Sequence, residues 1–155
     1  MELADILAKR AVLCCTGTKT KRQLFEELAE RAAEITGHDA AEIREAITGR
    51  EELGSTGLGN GIAIPHGKLA GLKGVTALLA RLDQPIDYDS VDDQPVDIVV
   101  MLLAPTGAGA DHLKALSRVA RLLRTETVVE ELRSASDADQ LYAIFTAPVA
   151  THYAA

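Results

Sequence analysis

The segment that most constrains the fold is residues 96–103, Val-Asp-Ile-Val-Val-Met-Leu-Leu, which is almost continuously apolar. A strand with one face in solvent alternates apolar and polar side chains, whereas this segment offers apolar side chains to both faces. It therefore predicts a central strand in a sheet that is covered on both sides.

Helices and strands alternate around this segment, which is the pattern of an α/β layered domain. Capping residues mark the helix starts at Thr20, Asp39, Asp111 and Ser136, and Gly37 and Gly49 follow the first two helices as C-terminal glycines do. Seven of the chain's 12 glycines lie within residues 51–74, where we predict a loop containing a short strand at 62–64. We predict one domain over residues 1–155, with a frayed tail from Pro148. The other predicted strands are 11–15 and 75–82, and the predicted helices are 21–35, 40–48, 112–124, 125–133 and 136–145.

Charge and cysteine usage exclude several classes of function. The net charge of -7 and the isoelectric point near 5.1 argue against a nucleic-acid binder. No apolar run reaches the roughly 18–20 residues of a membrane span, and the N-terminus lacks a secretory signal pattern. Cys14 and Cys15 are neighbours in a strand, so they point to opposite faces and do not pair. Two unpaired cysteines favour a protein of the reducing cytoplasm.

His66 is the strongest candidate for chemistry. It lies between Pro65, which restricts Ile64 to extended geometry, and Gly67, which permits a turn or the close approach of a large group. This stiff backbone suits a nucleophilic imidazole with one nitrogen free and the other oriented by a hydrogen bond. The residues alone leave open that His66 is a structural histidine.

Four further residues are candidates for binding an anion. His112 falls in the first turn of a helix and faces inward, where helix N–H groups favour anions; it is otherwise a buried structural histidine. Arg50, after Gly49, offers a planar fork to a phosphoryl group, or is a surface arginine. Ser55 and Thr56 offer hydroxyl groups that either donate to phosphoryl oxygens or hold a turn.

Several enzyme motifs are absent. The loop does not contain the nucleotide P-loop pattern GxxxxGK[ST]. It does not match the dinucleotide pattern GxGxxG either, because Ile62 stands where the last glycine is required. There is no HExxH, and His66 and His112 alone make a weak metal site. We therefore expect no cofactor and no metal, and a phosphoryl donor that already carries the group.

Residues 49–68, Gly-Arg-Glu-Glu-Leu-Gly-Ser-Thr-Gly-Leu-Gly-Asn-Gly-Ile-Ala-Ile-Pro-His-Gly-Lys, closely resemble the enzyme IIA proteins of the mannitol/fructose/nitrogen class of the bacterial phosphotransferase system. The nitrogen-type, regulatory branch is the best match. Residues 85–105 and the helix from His112 are also similar, and the resemblance covers about 5–146. It implies a mixed β-sheet flanked by helices on both faces. It also implies that His66 is the phosphorylated histidine, His112 a second site histidine and Arg50 an arginine near the phosphoryl group.

The resemblance implies an HPr-type phosphocarrier as the donor and leaves the regulated partner proteins unidentified. Our first hypothesis is a cytoplasmic regulatory phosphocarrier, which the lack of a fused transporter or IIB segment in the 155 residues favours. The alternative is a sugar-transport IIA component that passes phosphate to a IIB domain. A third hypothesis is a pure interaction module with a structural His66. For donor docking we expect apolar flanks, with Leu58 as a surface candidate and Ile62 and Ile64 either docking or core residues.

Overall fold

The computed structural model describes residues 1–148 of the chain. This part forms one mixed sheet of six strands together with five α-helices. Short 3-10 turns at Leu3–Asp5 and Lys9–Ala11 precede the first strand. The strands are β1 (Val12–Cys15), β2 (Gly57–Gly59), β3 (Ile62–Ala63), β4 (His66–Leu69), β5 (Thr76–Ile86) and β6 (Val96–Pro105); the helices are α1 (Lys21–Thr36), α2 (Ala40–Glu52), α3 (Gly109–Leu123), α4 (Glu126–Ser134) and α5 (Ala138–Thr146).

The prediction of a central strand at 96–103 is confirmed. The sheet order is β1-β5-β6-β3-β2, and β4 also pairs with β6, beyond β3 along the same edge. β5 runs antiparallel to β6, whereas β3 and β4 run parallel to it. Every residue from Ile98 to Ala104 is buried, and successive side chains point to opposite faces, so both faces are covered.

The two faces are covered by different helices, and this arrangement places the candidate residues. A Cβ added to Gly67 would lie 3.2 Å from the backbone carbonyl carbon of Ala46, so α2 packs directly on Gly67. The neighbouring His66 points to the other face, where its ring contacts that of His112 on α3. The opening that we expected beside Gly67 is therefore filled by α2.

The predicted end of α2 is wrong. We expected a stop at residue 48 with Gly49 as the cap, but the helix continues to Glu52. Gly49 has no positive φ; the first glycine with a positive φ after this helix is Gly54, whose N–H donates to the carbonyl of Glu51. The consequence is that Arg50 lies in the last turn of the helix, not in the loop.

Two other helix starts differ from the prediction, and one is confirmed. α3 begins at Gly109, so Asp111 lies in its first turn and Ala108 precedes it. α5 is capped by Asp137 and not by Ser136, since the Asp137 side chain accepts from the Gln140 N–H. For α1, Thr20 caps the start and Gly37 ends the helix with a φ of 78°, as predicted.

The glycine-rich segment is more regular than the loop we expected. The short strand predicted at 62–64 is β3, but β2 and β4 were missed. The structure also confirms that the two cysteines point apart, with Cys14 exposed and Cys15 buried. Burial, with a hydrogen bond to Glu27, raises the pKa of Cys15 to about 12. The predicted frayed tail beyond Pro148, with His152, lies outside the described residues.

Candidate functional site

His66 is held at the start of β4 by backbone contacts on both sides. Pro65 precedes it, and the carbonyl of Pro65 accepts a 3.0 Å hydrogen bond from the N–H of Leu102 on β6. The Nδ1 atom of His66 lies 2.9 Å from the carbonyl oxygen of Ile64. The extended backbone before Pro65 aims this carbonyl back at the ring, so the imidazole is oriented from within its own segment.

This hydrogen bond decides which nitrogen of His66 is available for chemistry. A carbonyl oxygen only accepts, so Nδ1 must carry the proton. In the neutral ring, Nε2 then holds the free lone pair. The half-buried ring thus offers Nε2 as a nucleophile.

His112 lies directly beside His66. The two ring centroids are 5.4 Å apart, with an interplanar angle of 73°. His112 is 6% exposed, and its Nε2 atom is buried without a hydrogen-bond partner among residues 1–148. The backbone N–H of His112 donates to the carbonyl of Ala108, so it is not free to bind an anion. Only the side chain of His112 is available for binding. A buried nitrogen without a hydrogen bond costs free energy. A ligand that forms a hydrogen bond with Nε2 of His112 would remove this cost.

Arg50 contributes positive charge to the same site from α2. Its Nη1 atom donates to the carbonyl of Gly54 at 3.0 Å, which holds the side chain over the end of the helix. Its charge acts on His66 and lowers the pKa of that ring. The three residues predicted as the core of the site are thus brought together from α2, β4 and α3.

Both histidines are held in the neutral form. Burial is the main cause of the lowered pKa of His66; the carbonyl of Ile64 opposes the shift, and Arg50 adds to it. Burial also lowers the pKa of His112, with further effects of His66 and Lys68. A neutral His66 is the form that has a free lone pair at Nε2.

Ser55 and Thr56 differ in what they have left to donate. The Oγ of Ser55 accepts from the Gly57 N–H at 3.1 Å, so its own proton stays available. Thr56 is 6% exposed, and both its hydroxyl and its N–H donate to Glu51. In this arrangement Thr56 holds the turn, and Ser55 is the better donor to an anion.

Sequence reasoning missed a buried polar cluster beneath this turn. Glu51 accepts from Lys21 Nζ at 2.7 Å, and its side chain is 7% exposed. The Tyr88 hydroxyl lies 2.9 Å from the Thr56 hydroxyl, and burial raises the pKa of Tyr88. In the sequence, Glu51 beside Arg50 and Tyr88 among aspartates both resemble surface residues. Only the turn at residues 55–57 indicated that this part of the chain belongs to the site.

The apolar candidates separate clearly. Ile62 and Ile64 are 5% and 4% exposed and belong to the core, whereas Leu58 is 48% exposed, as predicted for a surface residue. Leu113, next to His112, is 66% exposed.

Among the described residues, no three His, Cys, Asp or Glu side chains are grouped to hold a metal ion. Within residues 1–148, no helix has the length and apolar character that crossing a membrane requires.

Comparisons with known proteins identify the family and the fold. Residues 5–147 match the model of the family described as "Phosphoenolpyruvate-dependent sugar phosphotransferase system, EIIA 2". A nitrogen regulatory protein of Bradyrhizobium diazoefficiens is 49% identical over 97% of this chain and 99% of its own length. The crystal structure of nitrogen regulatory protein IIA-Ntr from Neisseria meningitidis superposes with a TM-score of 0.88 at 35% identity, covering 93% of this chain and 99% of that one.

One relative belongs to a larger sugar system. The fructose-specific EIIABC component of Bacillus subtilis is 34% identical over 91% of this chain but only 22% of its own length. The match over residues 5–147, with His66, His112 and Arg50 in one site, gives the conclusion that the chain belongs to the EIIA 2 family of the phosphotransferase system.

Proposed function

We propose that this protein is a regulatory phosphocarrier of the nitrogen type, which accepts a phosphoryl group on Nε2 of His66 from the phosphohistidine of an HPr-type carrier. The bond between Nδ1 of His66 and the carbonyl of Ile64 carries this proposal, because it leaves Nε2 as the free nucleophile. The nitrogen regulatory relatives support the branch. The donor of this system would place the protein in the cytoplasm.

The transfer balances without any cofactor. The Nε2 lone pair of neutral His66 forms the new N–P bond as the N–P bond of the donor breaks. The donor ring, protonated on its other nitrogen, leaves as neutral imidazole, and His66 becomes a protonated phosphoimidazole. Its positive charge is stabilised by the Nδ1–H bond to Ile64.

The surrounding groups stabilise the transferring phosphoryl group. Such a transfer depends on positioning and on charge stabilisation more than on covalent catalysis. Arg50 provides a fixed positive charge, the Nε2 of His112 is a buried polar atom without a partner, and Ser55 retains a hydroxyl proton. Thr56, predicted from sequence as a second phosphate-supporting residue, supports it by holding the turn.

The output of the phosphocarrier is the binding of other proteins. Phosphorylation adds about -1.5 to -2 charges at one point of the surface. A partner that buries His66 therefore distinguishes the two forms by charge. This regulated binding needs no onward transfer of the phosphoryl group.

The experiment supplies the protein with phosphoenolpyruvate, enzyme I and an HPr-type carrier, and follows its intact mass. We expect a gain of one phosphoryl group that is labile in acid and stable in alkali, with a phosphorus–nitrogen NMR coupling assigned to Nε2. His66→Ala should abolish the gain, and His38→Ala, a matched histidine outside the site, should retain it. Labelling of a folded His66→Ala protein at the wild-type level would refute the assignment.

The alternative, a sugar-transport IIA component, is favoured by the similarity to the fructose-specific EIIABC component. It predicts that the phosphorylated protein passes its phosphoryl group to a fructose-type IIB domain. Rapid transfer to that domain would establish this alternative. Retention of the group, together with phosphorylation-dependent capture of another protein, would establish the regulatory function.

A further inference from the structure

Glu51 is a buried carboxylate that contacts three separate parts of the chain around the site. It receives hydrogen bonds from Lys21 of α1 at 2.7 Å and from the N–H of Thr56 at 3.0 Å. The Tyr88 hydroxyl, from the connection between β5 and β6, lies 3.3 Å from it. Lys21 Nζ also lies 4.2 Å from the centroid of the Tyr88 ring. The carboxylate is thus enclosed by donors and is itself a fixed point.

Glu51 remains ionised in this enclosure. Burial alone would raise its pKa, but the hydrogen bonds from Lys21 and Thr56 outweigh burial and lower the pKa. A buried carboxylate with several charge-assisted hydrogen bonds has little freedom to move. The fixed position of Glu51 also concerns Arg50, because Arg50 is the preceding residue on the same helical turn.

A continuous path of hydrogen bonds links Glu51 to the reacting ring. The Thr56 hydroxyl and N–H both donate to Glu51, the Thr56 carbonyl accepts from the Ile64 N–H at 3.0 Å, and the Ile64 carbonyl accepts from Nδ1 of His66 at 2.9 Å. The N–H and carbonyl groups of each residue belong to different peptide units, so the path transmits position and not electron density. Every residue in it is fixed at two points.

We propose that Glu51 is a positioning residue for phosphoryl transfer, which fixes the imidazole of His66 through Thr56 and Ile64 while holding the turn that carries Ser55. This inference rests on the proposed function of His66. It differs from a purely structural role because the path ends on the hydrogen bond that selects the reactive tautomer. Its direct electrostatic effect is to favour the charged form of His66, against Arg50.

The test compares Glu51→Gln, Thr56→Val and Thr56→Ser. Displacement of a reacting group by about 1 Å costs up to roughly 10²-fold in rate. We therefore expect Glu51→Gln and Thr56→Val to slow single-turnover transfer at saturating donor by about 10- to 100-fold. The KM for the donor should change little, and Thr56→Ser, which restores the hydroxyl, should recover most of the rate.

A second readout requires no phosphoryl donor. In ¹⁵N NMR spectra the ring of His66 should be the Nδ1–H tautomer in the wild-type protein, and this fraction should fall in Glu51→Gln and Thr56→Val. If wild-type protein is never phosphorylated but the tautomer shifts in the variants, the proposed function fails, whereas the fixing of the His66 ring by Glu51 is still supported.

Asp97→Asn is the matched control, since Asp97 forms a partly buried ion pair with Arg133 at 2.9 Å outside the site. It should lower the melting temperature without changing the transfer rate or the His66 tautomer. If Glu51→Gln and Thr56→Val lose only melting temperature, as Asp97→Asn does, the positioning role is overturned. Should Glu51→Gln fail to fold, the Thr56 pair decides alone.

Discussion

At the scale of single residues, burial and the charge of Arg50 oppose protonation of the His66 ring, whereas the charge of Glu51 favours it. Burial and Arg50 keep the ring neutral, and neutral imidazole is the nucleophile. The same positive charge becomes favourable once a phosphoryl group arrives. In the transfer that we propose, Arg50 therefore serves the acceptor before transfer and the phosphoryl group during it.

Removing Arg50 or His112 should slow transfer without removing the acceptor. One such donor to a transition state is worth about 10²–10³ in rate, so Arg50→Ala and His112→Ala should each show a loss of that order in single-turnover transfer. Arg44→Ala, an exposed arginine on the same helix, is the matched control and should transfer at the wild-type rate. Unchanged rates in both site variants would show that neither group supports the reaction.

The two lowered pKa values make stability depend on pH. The folded state binds protons at His66 and His112 less readily than the unfolded chain does, where the pKa is about 6.5. Stability therefore falls as pH decreases below about 6.5 toward the folded-state pKa values. Melting temperatures measured from about pH 7.5 to 5 should show this decline, and the double variant His66→Gln/His112→Gln should flatten it. An equally steep decline in the double variant would place the responsible groups elsewhere.

At the scale of elements, the approach of α2 to β4 sets the geometry of the site. Gly67 lets the helix backbone come within contact distance of the strand, and Arg50 lies one turn beyond Ala46. A side chain at position 67 would push the helix, and hence Arg50, away from the sheet. Packing between a helix and a strand is therefore part of how the positive charge is placed.

Two glycine substitutions in this region should have opposite effects. Gly67→Ala should lower the melting temperature and the transfer rate, since its Cβ would lie 3.2 Å from the Ala46 backbone. Gly49→Ala should stabilise the protein by about 0.5–1 kcal/mol, because Gly49 is helical with open space around it and alanine is the better helix former. Thermal unfolding checks both, and destabilisation by Gly49→Ala would mean that the helix ends at residue 48.

The elements that the sequence predicted well are those with a strong local signal. The apolar run of β6 and the Thr20 and Gly37 ends of α1 needed no tertiary information. The end of α2 did, because a glycine after a helical pattern reads as a stop, although the helix continues to provide Arg50 and Glu51. β4 was missed for the same reason, since its pairing with β6 is invisible in a glycine-rich segment.

The residues of the candidate site also divide into those that the sequence predicted and those that it did not. His66, His112 and Arg50 were identified from motif and resemblance, and the structure brings them together. Glu51 was not identified, because burial of an acidic residue depends on Lys21 and Tyr88, which lie 30 and 37 positions away. The different availability of Ser55 and Thr56 depends on that same buried carboxylate.

At the scale of the whole molecule, the exposed leucines are candidates for the surface on which the proposed donor docks. The sequence pointed to Leu58, which is exposed but lines a groove with Leu123 and Arg124. Leu123 is 11 residues beyond His112 on α3, which is about 16 Å along a helix. Leu113 adjoins His112 and is the more exposed of the two, so our expectation moves to Leu113.

Leu113→Asp should raise the KM for the donor carrier strongly and leave the melting temperature almost unchanged. Weak, transient interfaces bury less than about 1,200 Å², so one charged residue near the centre has a large effect. Leu58→Asp, toward the rim, should raise the KM less. The comparison needs steady-state transfer with a titrated donor, and a larger effect at Leu58 would move the interface toward the groove.

Among residues 1–148, β6 is the last strand in sequence but a central one in the sheet, and this has a consequence for biosynthesis. A nascent chain emerges from the ribosome N-terminus first, so β3, β4 and β5 all leave before the strand to which they pair. The edge that holds His66 cannot form until residue 105 is available, and His112 arrives later still. A nascent chain that stops before residue 112 therefore carries His66 without the His112 ring of the candidate site.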